Sequence, residues 1–449
     1  MPTSPERERA RELLARFGRD VVAWQGLESD CRHWFLDDAC VAYVDTGDAW
    51  VAAGSPWCAS ERVGEVAQQF VAAARRGRRR ACFFGVERPE QFPGQVALRL
   101  GEQPLFDPDR WPATVKAHRR LAEQLRRARK KGVSVRRVEA GQLAAGAPLR
   151  AEVEALAAAW LRSRHLEPLG FLASVEPFDG PEHHRYYVAE WLGRVIALTS
   201  LVPVPGARGW LVEDTFRGER VPNGTTELLL DAAMRDAAGS AFVSLGLTPL
   251  SGPIAPLLRA AGAIGAPLYD FAALRAFRQR LHPDRWQPVW LLHGKHRRLL
   301  ALFDSLRAFA RGSLLAFGWR SMLRHPSGPP WLLAVPLVPW TFLLSVLAIV
   351  DDGRLLGFAR PGLFAWVTWD ALLAWLLFRT ARRPRWTQLA WLAAAAGFDA
   401  ALSLLHVVRV GLGEHDLATS LRLASVLAPI GGTLALAWAA RRAMPSRTR

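Results

Sequence analysis

Cysteine, lysine and a leader segment are scarce or missing in this chain, and each absence excludes something. Its 449 residues hold four cysteines, Cys31, Cys40, Cys58 and Cys82, all within the first hundred positions. No two stand in a C-x-x-C, and no histidine sits at a zinc-ligand spacing from them. The pattern therefore excludes a disulfide framework and a zinc motif. Buried or free thiols in a reducing compartment are expected, and neither a metal nor a cofactor is called for. The N-terminal "MPTSPERERARELLARF" is charged and lacks the apolar core of a signal peptide. The front of the protein is expected to stay in the cytoplasm.

Only four of the 58 basic residues are lysine, so the basicity is nearly all arginine. The formal net charge is +17. Twelve Arg and six acids follow residue 330, which leaves +6 to the tail and +11 to residues 1–330. Such a surface attracts polyanions, nucleic acid or anionic lipid. The length is too great for one core, so two or three domains are expected.

Hydrophobicity is concentrated at the end. "WLLAVPLVPWTFLLSVLAIV", Trp331 to Val350, is 20 residues without a charge, which is about 30 Å of helix and one hydrocarbon thickness. Further candidate spans lie near 355–378, 386–408 and 421–440. Asp370 and Asp399 interrupt two of them. They read either as functional carboxylates or as helix–helix hydrogen bonds inside a bundle. Ten arginines fall on one side of these spans (Arg320, Arg324, four in 379–385, and four from Arg441 on). Four fall on the other, Arg354, Arg360, Arg409 and Arg422. Four spans with both termini cytoplasmic fit that bias. Just before them, Leu299, Leu302, Phe303, Leu306 and Phe309 recur at helical steps among Arg297, Arg298, Arg307 and Arg311. The segment reads as an amphipathic helix on an anionic membrane, or as a core-packed helix.

The soluble part reads as two α/β units. Residues 1–112 alternate short strands with turns and one helix ended by Gly77. Residues 113–145 hold a basic helix and a linker. Between Lys116 and Arg137 stand ten Lys/Arg and one acid, Glu123. That density favours a polyanionic partner over a merely solvated face, with Arg126, Arg127, Lys130 and Lys131 as the contacts. Residues 146–292 repeat the α/β pattern, 293–330 are the juxtamembrane segment, and 331–449 are the membrane region. In the second unit "GWLVEDTF" reads as a strand ending at Asp214 and Arg217. A Pro-Asn-Gly turn then leads into a helix from Thr225, with Asn223 or Thr225 as N-cap. Such a strand-to-helix junction can hold an anion on free N–H groups. The plain alternative is an Asp214–Arg217 surface pair beside an ordinary cap.

Four ordered motifs carry a resemblance. They are "WLRSRHLEPLGF" (160–171), "EDTFRGERVPNGTTELLL" (213–230), "SLGLTPLSG" (244–252) and "FAALRAFRQRLHPDRWQPVWLL" (271–292). Together, over roughly residues 10–292, the chain resembles the catalytic domain of the phosphatidylglycerol lysyltransferase family, the aminoacyl-phosphatidylglycerol synthases. The resemblance implies two GNAT-like domains joined by a basic helix, here followed by a C-terminal four-helix transmembrane bundle. It implies transfer of an amino acid from aminoacyl-tRNA to the hydroxyl of an anionic membrane lipid, with the basic helix holding tRNA. It carries a D-x-x-R role onto Asp214 and Arg217, as catalytic acceptor and phosphate-holding group. Asn223 and Gly224 would bind substrate and Glu167 would be a second acid. The family's F-K-x-K-F lysines are Arg278 and Arg280 here, which keep a phosphate-binding role but exclude a neutral-amine base. The glutamate of its W-E-P is Gln287. "FRGERVPNG" also resembles the pyrophosphate loop of acyl-CoA-dependent GNAT enzymes, although it is glycine-poor. An acyl-CoA transferase and a non-catalytic membrane-tethered scaffold are therefore the rival readings.

Overall fold

The computed structural model describes residues 5–164, 167–256, 258–259, 270–324, 328–350, 360–382, 384–410 and 417–444. The start of the second expected span and Arg354, Arg383, Arg447 and Arg449, all used in the orientation argument, lie outside them. The chain parts into two compact units, 1–163 with 168–314, and 164–167 with 315–449.

In the first unit, α1 (Pro5–Phe17) precedes β1 (Arg32–Leu36), β2 (Ala39–Asp45), β3 (Ala49–Ala53), α2 (Val63–Arg76), β4 (Arg80–Val86) and β5 (Val96–Phe106). Then come α3 (Trp111–Ala117), α4 (Arg119–Lys130), β6 (Ser134–Val138), α5 (Pro148–Arg162), β7 (Arg185–Trp191), β8 (Arg194–Val204) and β9 (Gly209–Arg217). The unit closes with α6 (Thr225–Asp236), β10 (Phe242–Ser244), β11 (Thr248–Pro249), α7 (Phe271–Gln279), β12 (Arg285–His293) and α8 (Arg298–Phe309). α9 (Leu314–Arg324) begins at the junction of the two units. The expected α/β class holds.

All the strands join one 12-stranded sheet, in the order β1-β2-β3-β4-β12-β5-β10-β9-β8-β7-β6, with β11 beside β5. Two pairs are parallel, β3 with β4 and β9 with β10. Each is bridged by one helix, α2 or α6, as a parallel pair requires a crossover. The same β-α-β unit thus appears twice. The two halves are interlocked rather than strung together. β12, from the end of the second half, lies between β4 and β5 of the first, and β5 pairs with β10 of the second. The division expected between 1–112 and 146–292 is therefore crossed by the sheet itself, because an exchanged closing strand leaves no sequence signal of which edge it joins.

The basic helix expected within 113–145 is two helices. His118, at φ −107° and ψ 90°, separates α3 from α4, and its ring stacks on His282 with centroids 3.4 Å apart. Leu121, Leu125 and Ala128, at helical spacing, form the buried stripe of α4.

Just after β4 the half-buried Glu87 accepts from the Val21 N–H (2.6 Å), from Gln103 (2.8 Å) and from Gln287 (2.9 Å). Burial, then the charge of Asp20, pushes its carboxyl from 4.5 up to about 8. Between those two pH values the native chain binds more protons than the unfolded one, so stability falls as pH rises. Glu87→Gln mimics the protonated acid. Its unfolding midpoint should fall less than wild type's from pH 5 to pH 8. Parallel profiles would remove Glu87 as the source.

The second unit contains α10 (Gly328–Val350), α11 (Arg360–Arg382), α12 (Trp386–Val410) and α13 (Leu417–Ala443). Leu373, Leu377, Leu389, Leu392 and Leu436 share one buried cluster. Among the described residues, three helices are long and apolar enough to cross a membrane: Gly328–Val346, Pro361–Arg382 and Trp386–Arg409. The fourth expected span forms a helix, α13, that is not among these three. Asp370 and Asp399 are buried in this unit, at 2% and 6% exposure.

Candidate active site

The site grows from a defect in the sheet. β9 pairs with β10 only at Gly209, Trp210 and Leu211. β10 ends at Ser244, so beyond Leu211 β9 has no parallel partner on this edge, and the carboxyl end of such a strand pair is the usual place for a ligand crevice. On the other edge of β9 the register with β8 shifts. Thr215 faces Thr199 and Val212 faces Leu201, so Glu213 and Asp214 oppose Ser200 alone. This bulge re-aims the side chains at the mouth of the crevice. It is pinned by two hydroxyls. The Asp214 N–H donates to Ser200 Oγ at 3.2 Å, and Thr199 Oγ1 donates to the Asp214 carbonyl at 2.8 Å.

The Asp214 side chain is 6% exposed. Among the described residues its carboxyl makes no hydrogen bond and no ion pair. Burial first, and then the charge of Glu213, holds that carboxyl well above the usual carboxylate range. A carboxylate moved toward neutral pH is a better proton acceptor for a hydroxyl than an ordinary surface aspartate.

Arg217 does not pair with it. Three residues on, at the end of β9, Arg217 is exposed. It stands opposite Ala197, which packs with α4 and α6, while Phe216 packs with α5. Asp214 and Arg217 thus lie on opposite faces of the strand, as an odd separation dictates. The plain reading of a surface ion pair is not observed, and neither is an acid and a base flanking one point.

The Pro-Asn-Gly turn has a packing cause. Gly224 is the N-cap of α6 at φ +92°, with no side-chain cap. A Cβ there would stand 2.5 Å from the Gln124 carbonyl of α4. Only glycine allows that conformation and that approach. The expected capping by Asn223 or Thr225 does not occur. Asn223 is exposed, and Thr225 donates its hydroxyl to the Pro222 carbonyl at 2.7 Å. The turn seats the start of α6 on the basic helix.

On α4, Arg126, Arg127, Lys130 and Lys131 are all exposed, with Glu123 against the two arginines. Arg129 is used differently. It meets Asp231, 2% exposed, which also accepts from Trp111 and Arg235. The charged face expected from the sequence is present, with one arginine withdrawn to hold α4 against α6.

Arg278, on α7, clamps the loop after β10. It donates to Gly246 O (2.9 Å), to Thr248 Oγ1 (2.6 Å) and to the Leu245 carbonyl. Its guanidinium thus shapes the far wall of the crevice. Arg280 is exposed, over the Phe277 ring at 5.9 Å. Glu167 belongs to the second unit. There its N–H donates to Ser321 Oγ at 3.0 Å, and its carboxylate lies 3.7 Å from Arg320.

Sequence reasoning missed His184. Both ring nitrogens face acceptors, Nδ1 the Gly180 carbonyl and Nε2 the Glu213 carboxylate, each at 3.0 Å. Glu28 belongs to the same acidic surround, its carboxyl pushed to about 9 by burial and then by Glu213 and Glu176. These residues are 29 to 185 positions from Glu213, and no spacing announces them.

The family described as "Phosphatidylglycerol lysyltransferase, C-terminal" matches residues 11–293. Among solved structures, the C-terminal domain of a putative lysylphosphatidylglycerol synthetase from Agrobacterium fabrum is similar at 23% identity. The match has a TM-score of 0.58 and covers 69% of this chain and 98% of that one. L-PGS from Bacillus licheniformis is similar at 19% identity and TM-score 0.59, over 69% and 99%. No curated protein matches the chain. At these identities the structures speak for the fold, and the family match, over well more than half of the chain, speaks for membership. The crevice between β9 and β10 therefore lies in a member of the phosphatidylglycerol lysyltransferase C-terminal family of lipid aminoacyltransferases.

Proposed function

We propose that the protein moves an aminoacyl group from aminoacyl-tRNA to a hydroxyl of an anionic membrane lipid such as phosphatidylglycerol. The observation that carries this is the buried, unpartnered Asp214 at the mouth of the crevice in a chain matched by the family over 11–293. The lipid hydroxyl attacks the ester carbonyl of the charged tRNA, and Asp214 accepts its proton. The carbonyl becomes an oxyanion, while Asn223 and Gly224, on the α6 face with Arg217, bind a part of the substrate away from the reacting carbon. The bond to the tRNA ribose breaks, the proton passes to that leaving oxygen, and the aminoacyl ester remains on the lipid. Arg217 and Arg280, both exposed, hold phosphates of the substrates, and Arg278 positions the crevice wall. Transfer of a labelled amino acid from charged tRNA to lipid tests the reading, with acetyl-CoA consumption followed in parallel. Acetyl-CoA use without transfer would favour the acyl-CoA transferase, and inactivity toward both would favour the scaffold. The tail's arginine bias supports a membrane protein with its soluble unit on the cytoplasmic side.

The tRNA would lie along α4. Replacing Arg126, Arg127, Lys130 and Lys131 by Gln should weaken tRNA binding by one to two orders of magnitude at low salt. The deficit should shrink as salt rises, because released counterions drive such contacts. Equal low-salt affinities would leave α4 as a solvated face.

A further inference from the structure

A second charged surface lies away from the crevice. A cavity of about 570 Å³ opens at the start of β4, lined by Arg75, Arg78, Arg79, Arg80, Lys295 and Arg297, with Asp48 at its edge. Some of this charge is spoken for. Arg80 binds Asp304 and Arg79 binds Asp45. Arg75, Arg78, Lys295 and Arg297 have no ion pair among the described residues. β4 stands four strands from β9 in the sheet, roughly 19 Å at the usual strand spacing. The cavity is thus separate from the transfer site.

Its rim runs directly into α8, and α8 is packed the wrong way round for a soluble helix. The face turned into the protein is Ala301, Asp304, Ser305 and Ala308. The opposite face leaves Leu299 66%, Phe303 48% and Leu306 56% exposed, with Leu300 at 47% beside them. Positions 299, 303 and 306 are one turn apart, so they form a single stripe. Of the expected apolar positions, Leu302 and Phe309 are partly buried against the core, and Leu299, Phe303 and Leu306 face outward. The helix is anchored to the core by its small and polar face, and its apolar face is outward.

We infer that the Arg75–Arg78–Lys295–Arg297 cavity and the Leu299–Phe303–Leu306 stripe of α8 form one docking surface for anionic phospholipid, the cations taking headgroup phosphates and the stripe entering the acyl boundary. Charge and apolar surface side by side fit a bilayer interface. Nucleic acid offers phosphates but nothing to cover four exposed aliphatic and aromatic side chains. In sequence, this surface is followed closely by a helix of membrane length. Only residues 310–327 separate α8 from α10, the first helix of membrane length. The inference rests on that membrane reading and is independent of the transfer chemistry.

The test uses the full chain in phosphatidylcholine nanodiscs doped with photoactivatable phosphatidic acid. That lipid carries the phosphate but has no headgroup hydroxyl to accept an amino acid. Crosslinks should map to 71–81 and 294–309, at several times the yield of a phosphatidylcholine probe. The variant Arg75→Gln/Arg78→Gln/Lys295→Gln/Arg297→Gln should lose at least tenfold of that yield, since each interfacial cation contributes about a fivefold factor. Phe303→Ser/Leu306→Ser should lose acyl-chain crosslinks while retaining headgroup ones. Equal yields with both probes, or yields unmoved by the four-Gln variant, would overturn the inference. So would four-Gln loss of binding to an RNA duplex with lipid crosslinking intact, which would make the cavity an RNA site. Aminoacyl transfer is not part of the readout, so an inactive transfer site leaves this result standing.

Discussion

Asp214→Asn should lower aminoacyl transfer by a factor on the order of 10² or more, the usual loss for a positioned acid–base group. The substitution keeps size and polarity and removes only the proton acceptor. It should not unfold the site. The main chain of residue 214 is held by Ser200 and Thr199 whatever its side chain, and removing a buried charge beside Glu213 relieves a repulsion. Thermal stability of the variant should therefore equal or exceed that of wild type, while activity collapses. The wild-type rate should rise with pH as Asp214 ionises, through a midpoint well above that of an ordinary carboxylate. Arg217→Lys should behave differently. Its exposed side chain is on the other face, so the loss should appear mainly as raised KM for the charged tRNA or the lipid. Wild-type transfer by both variants would place the chemistry elsewhere in the crevice.

Arg80→Met should be strongly destabilising while leaving the crevice untouched. Arg80 grips Asp304 with two parallel bonds, Nε to Oδ2 at 2.8 Å and Nη2 to Oδ1 at 2.7 Å. The Asp304 side chain is 1% exposed. Without its partner that carboxylate is a buried, uncompensated charge, at a cost of ~3–5 kcal/mol. The double variant Arg80→Met/Asp304→Leu should recover most of the loss, because the penalty belongs to the orphaned charge rather than to the missing bridge. The check is the unfolding midpoint of all three proteins in one detergent at one scan rate. A double variant no more stable than Arg80→Met would mean that α8 packing, not the charge, carries the effect.

Much of this architecture was legible in the sequence, and for identifiable reasons. Short apolar runs between turns marked strands such as β9, and β2, β4, β7 and β8 are buried over most of their length, as strands covered on both faces require. The stripe Leu121, Leu125, Ala128 placed the inner face of α4. The uncharged run from Trp331 marked a membrane-length helix, since only the length of apolar helix matters there. The four ordered motifs led to the family that the comparison then matched.

What sequence order could not reach was every decision made by partners far apart in the chain. The break at His118 depends on a stack with His282. The place of β12 between β4 and β5 depends on two unfilled sheet edges, which leave no mark on β12 itself. Asp214 and Arg217 look like a unit at three residues' separation, yet the pleat sends them to opposite faces. Glycine at 224 reads as a turn, while its stricter cause is the Gln124 carbonyl of another helix. Local periodicity determined which residues form which element and which face turns inward, because those choices are made within a few residues. Tertiary structure alone decided which buried carboxyls lack partners, and so which of them are poised for chemistry, because desolvation and pairing are set by whatever the folded chain brings alongside.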